Sequence, residues 1–150
     1  VSVGQYVASQ QVTGISNDLP GGDPAMILTS PIEQWRRSYI FLTPDLYAFD
    51  FIVIMHAPSA TITLDGHPLP PVCRESIVGG TGDEWAVTSC QLSFPEIITG
   101  ATPPDNILPG EQNDGVHEVT ADLPIGIVAY GFDNFVSYGY PGGTDLELIE

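Results

Sequence analysis

Glycine and proline interrupt this chain too often for a bundle of helices. The 150 residues include 16 Gly and 14 Pro, one residue in five, and both residue types break helices and form turns. Between them, apolar and polar side chains alternate over short stretches rich in β-branched and aromatic residues, a pattern that indicates strands. Nine strands and a last short one are predicted: Val1–Ser9, Ala25–Thr29, Arg37–Leu42, Phe49–His56, Thr61–Leu64, Trp85–Leu92, Val116–Ala121, Ile125–Phe132, Phe135–Tyr140 and Asp145–Ile149.

The residues between these stretches predict how the strands connect. Phe49–His56 and Thr61–Leu64 are expected to pair as a hairpin, and Asp65-Gly66 forms a tight turn after them. Thr99–Asp114 is rich in Pro, Gly and Asp, and we expect it to be the longest surface loop.

Helical periodicity is almost absent from the chain. The one candidate is a turn at Ile32–Arg37, where Ser30 could cap the helix and Pro31 could occupy its first position. About nine short strands with little or no helix predict an all-β fold. We expect an antiparallel β-sandwich or a jelly-roll-like barrel.

The chain has the length and apolar content of one domain. With 43% hydrophobic and 15% charged residues it can bury a core. No repeat or linker divides it, so a single β-sandwich domain over residues 1–150 is predicted. The chain opens at Val1 inside a predicted strand, with neither an initiator Met nor a basic leader, so we expect it to be a fragment of a larger exported protein.

The charge balance excludes several classes of partner and chemistry. The chain has three Arg, no Lys and 19 acidic residues, and its formal net charge is −16. Because it has no Lys, the chain can form neither a lysine Schiff-base intermediate nor a phosphate-binding loop of the kind that needs a lysine. The negative charge repels nucleic acids and anionic lipids. No apolar run reaches the length of a membrane-spanning helix, so neither nucleic acid nor membrane insertion is expected.

The two cysteines, Cys73 and Cys90, lie 17 positions apart. Their spacing matches no metal site, and a disulfide is the simplest interpretation, with two buried free thiols as the alternative. Closing a loop of this length stabilises a fold by about 3 kcal/mol on the chain-entropy model. A disulfide would also place the chain outside a reducing cytosol, at the cell surface or in the extracellular space.

The residues that carry catalysis in other proteins form no recognisable pattern here. His56, His67 and His117 lack the spacing of a zinc site. No nucleophile elbow surrounds a serine, and Ser137 lies in the middle of a predicted strand. We therefore predict no catalytic, cofactor-binding or metal-binding residue and no enzymatic activity. A pair of carboxylates for glycoside hydrolysis stays open as an alternative, because sequence spacing does not give distance in space.

Four acidic groups could bind calcium, although surface solvation is the commoner reason for such acidity. None has the spacing of an EF-hand loop, and turns at Asn113-Asp114-Gly115 and Asp133-Asn134 explain two of them. No cofactor is therefore predicted, with calcium left open. The groups are Asp18 with Asp23, Asp83 with Glu84, Glu111 with Asp114, and Asp133 with Asn134.

Five aromatic residues lie within eleven positions near the end of the chain. Tyr138 and Tyr140 share one face of a predicted strand. The group, completed by Tyr130, Phe132 and Phe135, is expected to form an aromatic half of the core. An exposed patch for a partner or glycan is the alternative.

Seven short motifs together resemble the IgGFc-binding protein N-terminal domain family. The family has a mammalian member and bacterial members, and the low-lysine, acidic composition of this chain is more similar to that of a bacterial member. The motifs are Gln5-Tyr6 with Ser9-Gln10, Gly22-Asp23-Pro24-Ala25-Met26, Tyr39-Ile40-Phe41-Leu42-Thr43-Pro44, Thr63-Leu64-Asp65-Gly66, Gly115-Val116-His117, Tyr130-Gly131-Phe132 and Ser137-Tyr138-Gly139-Tyr140-Pro141-Gly142-Gly143.

The resemblance implies an extracellular, non-enzymatic, β-rich module for binding or adhesion in a large secreted or surface protein. Its partner would be a protein or a glycan, and no functional residue is transferred from the family. An alternative is a structural domain that packs against neighbouring domains or copies without a ligand of its own. The third and least favoured hypothesis is a carbohydrate-active enzyme that uses an acidic pair.

Overall fold

The computed structural model describes residues 3–16, 19–79 and 84–144. It contains one short helix, α1 (Gln10–Thr13), and one 3-10 turn (Ile32–Gln34). The strands are β1 (Val3–Val7), β2 (Ala25–Thr29), β3 (Arg36–Thr43), β4 (Phe49–His56), β5 (Ile62–Leu64), β6 (His67–Pro68), β7 (Arg74–Val78), β8 (Trp85–Gln91), β9 (Phe94–Ile97), β10 (Ile107–Glu111), β11 (Gly115–Asp133) and β12 (Val136–Pro141).

The 19-residue strand β11 organises the sheet. Its first half pairs with β3 and β5, and its second half pairs with β4 and β12. Beyond these neighbours, β6 pairs with β5, β8 with β4, and β7 with β8. Two further ribbons, β1–β2 and β9–β10, complete the described strands. All pairs are antiparallel and the sheet curls in a sandwich-like arrangement, which confirms the predicted all-β fold.

The core lies between the two halves of this curled sheet. Along β4, alternate residues are buried, and Ile52 and Ile54 have no exposed surface. Full burial of one such side chain stabilises the fold by about 2 kcal/mol. The core cluster is Tyr39, Phe41, Ile52, Ile54, Ile62, Leu64, Cys90, Leu92, Val119, Ile125, Ile127 and Ala129.

The predicted disulfide is present between Cys73 and Cys90, with an S–S distance of 2.03 Å. Cys73 directly precedes the edge strand β7, and Cys90 lies in its neighbour β8. The bond therefore fastens the start of an exposed edge strand to the buried part of the sheet.

Several predicted connections are wrong. β4 and β5 do not pair as a hairpin, because they follow each other along β11, opposite Gly126–Phe132 and Val119–Ala121. The two strands predicted at Val116–Ala121 and Ile125–Phe132 are one continuous strand, β11, whose register shifts between Thr120 and Ile125. The turn Asp65-Gly66 is confirmed, since both residues have positive φ and join β5 to β6.

Other differences involve elements without buried alternation. Strand β10 occupies part of the expected loop Thr99–Asp114, and β7 was not predicted because all five of its residues are exposed. The 3-10 turn at Ile32–Gln34 is shorter than predicted, and Pro31, not Ser30, precedes it. The predicted strand Asp145–Ile149 lies outside the described residues.

Candidate functional site

A groove opens at one end of the sheet. It lies between the β3–β4 connection, the start of β10 and the β11–β12 turn. Its volume is about 460 Å³, within the range of protein ligand sites. We call it the loop-end groove and define it by six of its lining residues: Asp45, Leu46, Tyr47, Ile107, Asp133 and Asn134. Three segments that are distant in sequence therefore converge on one concave surface.

The β3–β4 connection gives the groove an apolar wall. Leu46 is 80% exposed, so most of its side chain is free to contact a partner. The Tyr47 ring packs edge-on against the Tyr138 ring, with 4.7 Å between centroids. One side of the groove is therefore an exposed leucine beside a tyrosine that packs against the Tyr138 ring.

A pair of amides fixes the opposite side of the groove. The side chain of Asn106 is completely buried, and its amide exchanges hydrogen bonds of 3.0 and 2.8 Å with the amide of Asn134. The backbone N–H of Asn134 also donates to Oδ1 of Asp133 at 2.5 Å. The β11–β12 turn is thus tied to the loop before β10, which orders this wall before any partner arrives.

A buried carboxyl network lies behind the apolar wall. Asp50 has no exposed surface, and its two oxygens accept hydrogen bonds from Tyr138 (2.6 Å) and Ser93 (3.0 Å). Burial is the main cause that raises the pKa of Asp50, against the lowering effect of these two donors. Burial and the bond to Asp50 likewise raise the pKa of Tyr138. The network supports Tyr47 through the Tyr138 ring.

The groove is acidic. Asp45 and Asp133 both line it, and no Arg does. Nearby, the pKa of Asp114 is raised, first by partial burial and then by the negative charge of Asp45. Arg36 and Arg37 lie at the opposite end of β3 from Asp45. The local field therefore favours a positively charged group.

A second polar network is centred on His117. Thr43, His117 and Asp65 are connected in the same way as the nucleophile, the histidine and the acid of a catalytic triad. Nδ1 of His117 donates to Oδ2 of Asp65 at 2.8 Å, and Nε2 lies 3.0 Å from Oγ1 of Thr43. The Thr43 hydroxyl, however, is on a residue only 1% exposed and donates to the Asn113 carbonyl at 3.0 Å. A substrate cannot reach this hydroxyl, so the network links strands and does not form a nucleophile.

The network nevertheless changes the ionisation of Asp65. Partial burial disfavours its charge, but hydrogen bonds from His117 and from the Glu118 backbone outweigh burial and lower the pKa of Asp65. The carboxylate thereby connects the β5–β6 turn to β11.

The three histidines do not come together. His56 is buried, with Nε2 2.9 Å from Oγ1 of Thr88 and 3.7 Å from a Glu75 oxygen. His67 is exposed in β6, whereas His117 is buried in β11. Over residues 3–16, 19–79 and 84–144, no group of three or more His, Cys, Asp or Glu side chains could hold a metal ion. Asp18 and Asp83, two of the acids considered for calcium, lie outside these ranges.

The aromatic group near the end of the chain divides between two faces. Tyr138 and Tyr140 do share a face, and the Tyr140 hydroxyl accepts from the Leu42 N–H at 2.8 Å. Tyr130 and Phe132 instead lie on the other face of β11, where they stack on Phe51 and Phe49 with centroid distances of 5.0 and 4.7 Å. The aromatic residues therefore line the core only in part.

The loop-end groove was not predicted from the sequence. From the sequence, Asp133-Asn134 is predicted as a turn with calcium left open, and Pro44-Asp45 is predicted as a turn. The one local signal was the pair Leu46-Tyr47, two large apolar residues that follow a turn instead of a polar loop.

Comparisons with known proteins give one match. A family model described as IgGFc binding protein matches residues 1–131, whereas no curated protein and no solved structure matches the chain significantly. The motif Ser137–Gly143, which also resembles the family, lies beyond the matched residues. In the described part of the chain, no helix has both the length and the apolar character needed to cross a membrane. Because the matched residues cover most of its length, the chain belongs to the IgGFc-binding protein family.

Proposed function

We propose that this chain is a non-enzymatic binding module of a secreted or surface protein and that it holds its partner, a protein or a glycan, in the loop-end groove. The observation that carries the proposal is the groove itself, a concave surface with an exposed apolar wall built on a rigid sheet. Loops positioned by a rigid scaffold are common sites of recognition. Family membership and the Cys73–Cys90 disulfide support an extracellular location.

The polar networks favour binding over catalysis. A glycosidase acid needs a raised pKa and contact with the substrate. Asp50 has the raised pKa, but it is buried and bonded to Tyr138 and Ser93. The hydroxyl of Thr43 is equally inaccessible. Both networks therefore support a structural role for the groups that most resemble catalytic machinery.

The test uses two probes and one matched pair of variants. An immunoglobulin Fc fragment and an array of immobilised glycans are tested for saturable binding to the wild-type chain. Leu46→Ser removes the exposed wall of the groove, and Ile40→Ser removes a similarly exposed side chain, 75% accessible, from a residue of β3 that does not line the groove.

We expect Leu46→Ser to weaken binding about fivefold or more and Ile40→Ser to leave it unchanged, since truncation of a central apolar contact costs more than about 1 kcal/mol. Binding that both variants retain at full strength would contradict the groove as the site. The absence of saturable binding to every Fc and glycan probe would count against the binding function.

A structural packing module is a second candidate, favoured by an apolar patch on the outer face of β3 and β11. Ile40, Leu42 and Val116 are all exposed there, and Leu42 pairs directly with Val116. If this patch packs against a copy of the chain, sedimentation velocity should detect self-association that Ile40→Asp abolishes. A monomer at all concentrations would count against packing between copies.

A further inference from the structure

We infer that the loop-end groove recognises a cationic side chain, an arginine or a lysine, displayed by a protein partner. This inference rests on the proposed function and adds the chemical class of the partner. Asp45 and Asp133 would pair with the cationic head, and the exposed Leu46 side chain would pack along its aliphatic stem. Long basic side chains commonly bury their stem against apolar surface while the charged head reaches a polar partner.

The groove is lined by two carboxylates and an apolar wall, and few kinds of ligand suit both. A purely apolar segment would desolvate the carboxylates of Asp45 and Asp133 without supplying a positive charge to compensate them, which costs binding energy. A neutral glycan could donate hydroxyl hydrogen bonds to the two carboxylates but would leave their negative charges uncompensated, and a sulfated glycan would be repelled. A side chain that is apolar along its length and positive at its end satisfies both carboxylates and the Leu46 wall.

Charge also argues against a second copy as the occupant. Each chain has a formal net charge of −16 and only three Arg. Arg36 and Arg37 start β3, and Arg74 starts the edge strand β7, so no arginine neutralises the groove from within. Two such chains repel each other over the distances at which they must first meet. A basic partner is attracted by the same field.

The negative charge of Asp45 also acts on a nearby carboxyl that does not line the groove, Asp114, on whose pKa His117 has the opposite, lowering effect. The negative charge of Asp45 contributes to the raised pKa of Asp114, after partial burial. A bound positive charge near Asp45 opposes this repulsion and stabilises the ionised form of Asp114. By linkage, the affinity for the cation should therefore rise as pH increases and Asp114 loses its proton.

The test compares two short peptides by nuclear magnetic resonance at physiological salt. The probes are acetyl-Gly-Arg-Gly-amide and the same peptide with citrulline, which keeps the shape of arginine but has no charge. Resonances of the Leu46 methyl groups and of the Ala48 and Asn134 amides report on the groove. Probes of this size are expected to bind in the millimolar range, as a single side chain gives few contacts.

Three chains are compared. Asp45→Asn with Asp133→Asn removes two charges from the groove, and the Asn at 133 retains the oxygen that accepts from the Asn134 N–H. Asp23→Asn with Glu33→Gln removes the same net charge from exposed residues that do not line the groove. The matched pair separates local recognition from attraction to the overall negative charge.

We expect the arginine peptide to shift the groove resonances of the wild type and of the Asp23/Glu33 variant, with at least fivefold weaker binding by the Asp45/Asp133 variant. The citrulline peptide should produce no saturable shift. Equal effects of both peptides, or equal losses in both variants, would overturn the inference.

Failure of this inference is distinguishable from failure of the proposed function. If Leu46→Ser weakens Fc or glycan binding while the Asp45/Asp133 variant does not, the groove binds a partner that is not cationic. If neither change affects any binding, both proposals fail.

Discussion

The hydroxyl of Tyr138 donates a 2.6 Å hydrogen bond to Oδ1 of Asp50, a carboxyl with no exposed surface. The two residues are 88 positions apart and lie on β12 and β4, which flank the second half of β11. Ser93 donates to the other carboxyl oxygen. One buried acid thus joins three segments of the sheet directly behind the loop-end groove.

Asp50→Asn should leave the free energy of unfolding at pH 7 equal to or higher than that of the wild type. The raised pKa of Asp50 means that the folded state favours the protonated carboxyl more than the unfolded state does. The free energy that protonated Asp50 contributes to folding is complete below pH 3.8, the pKa of the unfolded state. It is lost as pH rises through the higher pKa of the folded state. Asparagine imitates the protonated form. Urea unfolding from pH 4 to 8 should show a flatter pH dependence for the variant.

Asp50→Ala is the control for this prediction. It removes the acceptor of both the Tyr138 and Ser93 hydroxyls, and we expect a loss of about 2–4 kcal/mol at pH 7 because two buried donors lose their partner. An asparagine variant as unstable as the alanine variant would show that the ionised carboxylate stabilises the fold.

Asp65→Asn should lower stability at neutral pH and flatten the acid limb of the stability curve. Because the pKa of Asp65 is lowered in the folded state, its carboxylate contributes stability that is present above about pH 3.8. This stability is lost as pH falls through the pKa of the folded state. We expect a loss of about 1 kcal/mol at pH 7, less than for a fully buried charged hydrogen bond, because the Asp65 side chain is partly exposed. Glu118→Gln, an exposed change on β11, is the control and should leave the acid limb unchanged.

Replacement of Cys73 and Cys90 by Ala should lower the free energy of unfolding by about 3 kcal/mol, since the disulfide closes a loop of 17-residue separation. For a chain of this length we expect the melting temperature to fall by about 6–12 °C. A reductant should lower the melting temperature of the wild type equally and leave the double variant unchanged. An unaltered melting temperature in the reduced wild type would contradict this.

The elements that the sequence predicted best are those with one buried and one partly exposed face. Strands β4 and β8 alternate perfectly between buried and partly buried residues, and this alternation is a local property of the sequence. The Asp65-Gly66 turn was equally predictable, because positive φ at two successive positions favours these residue types.

The missed elements depend on contacts that are distant in sequence. All five residues of β7 are exposed, and its position as an edge strand is set by its pairing with β8. Strand β11 continues through Asp122 and Pro124, two residues that usually end a strand, because different neighbours pair with its two halves. The loop-end groove combines segments around residues 46, 107 and 134, and no local pattern records that convergence.

Gly131→Ala should destabilise the fold by about 1–3 kcal/mol, because the added methyl group has no room. Gly131 pairs with Asp50 across β11 and β4. Its Cβ would lie 2.7 Å from Oδ1 of Asp50 and would also meet the Phe49 carbonyl and the Tyr138 ring. The clash therefore falls on the carboxyl network itself, and chemical unfolding should show the loss directly.

Gly143→Ala is the matched control, since a Cβ there meets no atom within 4 Å and the backbone is outside the left-handed region. Its free energy of unfolding should stay within about 0.5 kcal/mol of the wild type. The Gly131 variant should also weaken ligand binding at the groove, because displacement of Tyr138 removes the support of Tyr47. Equal stability of the two alanine variants would show that β11 and β4 are not packed as closely as this network requires.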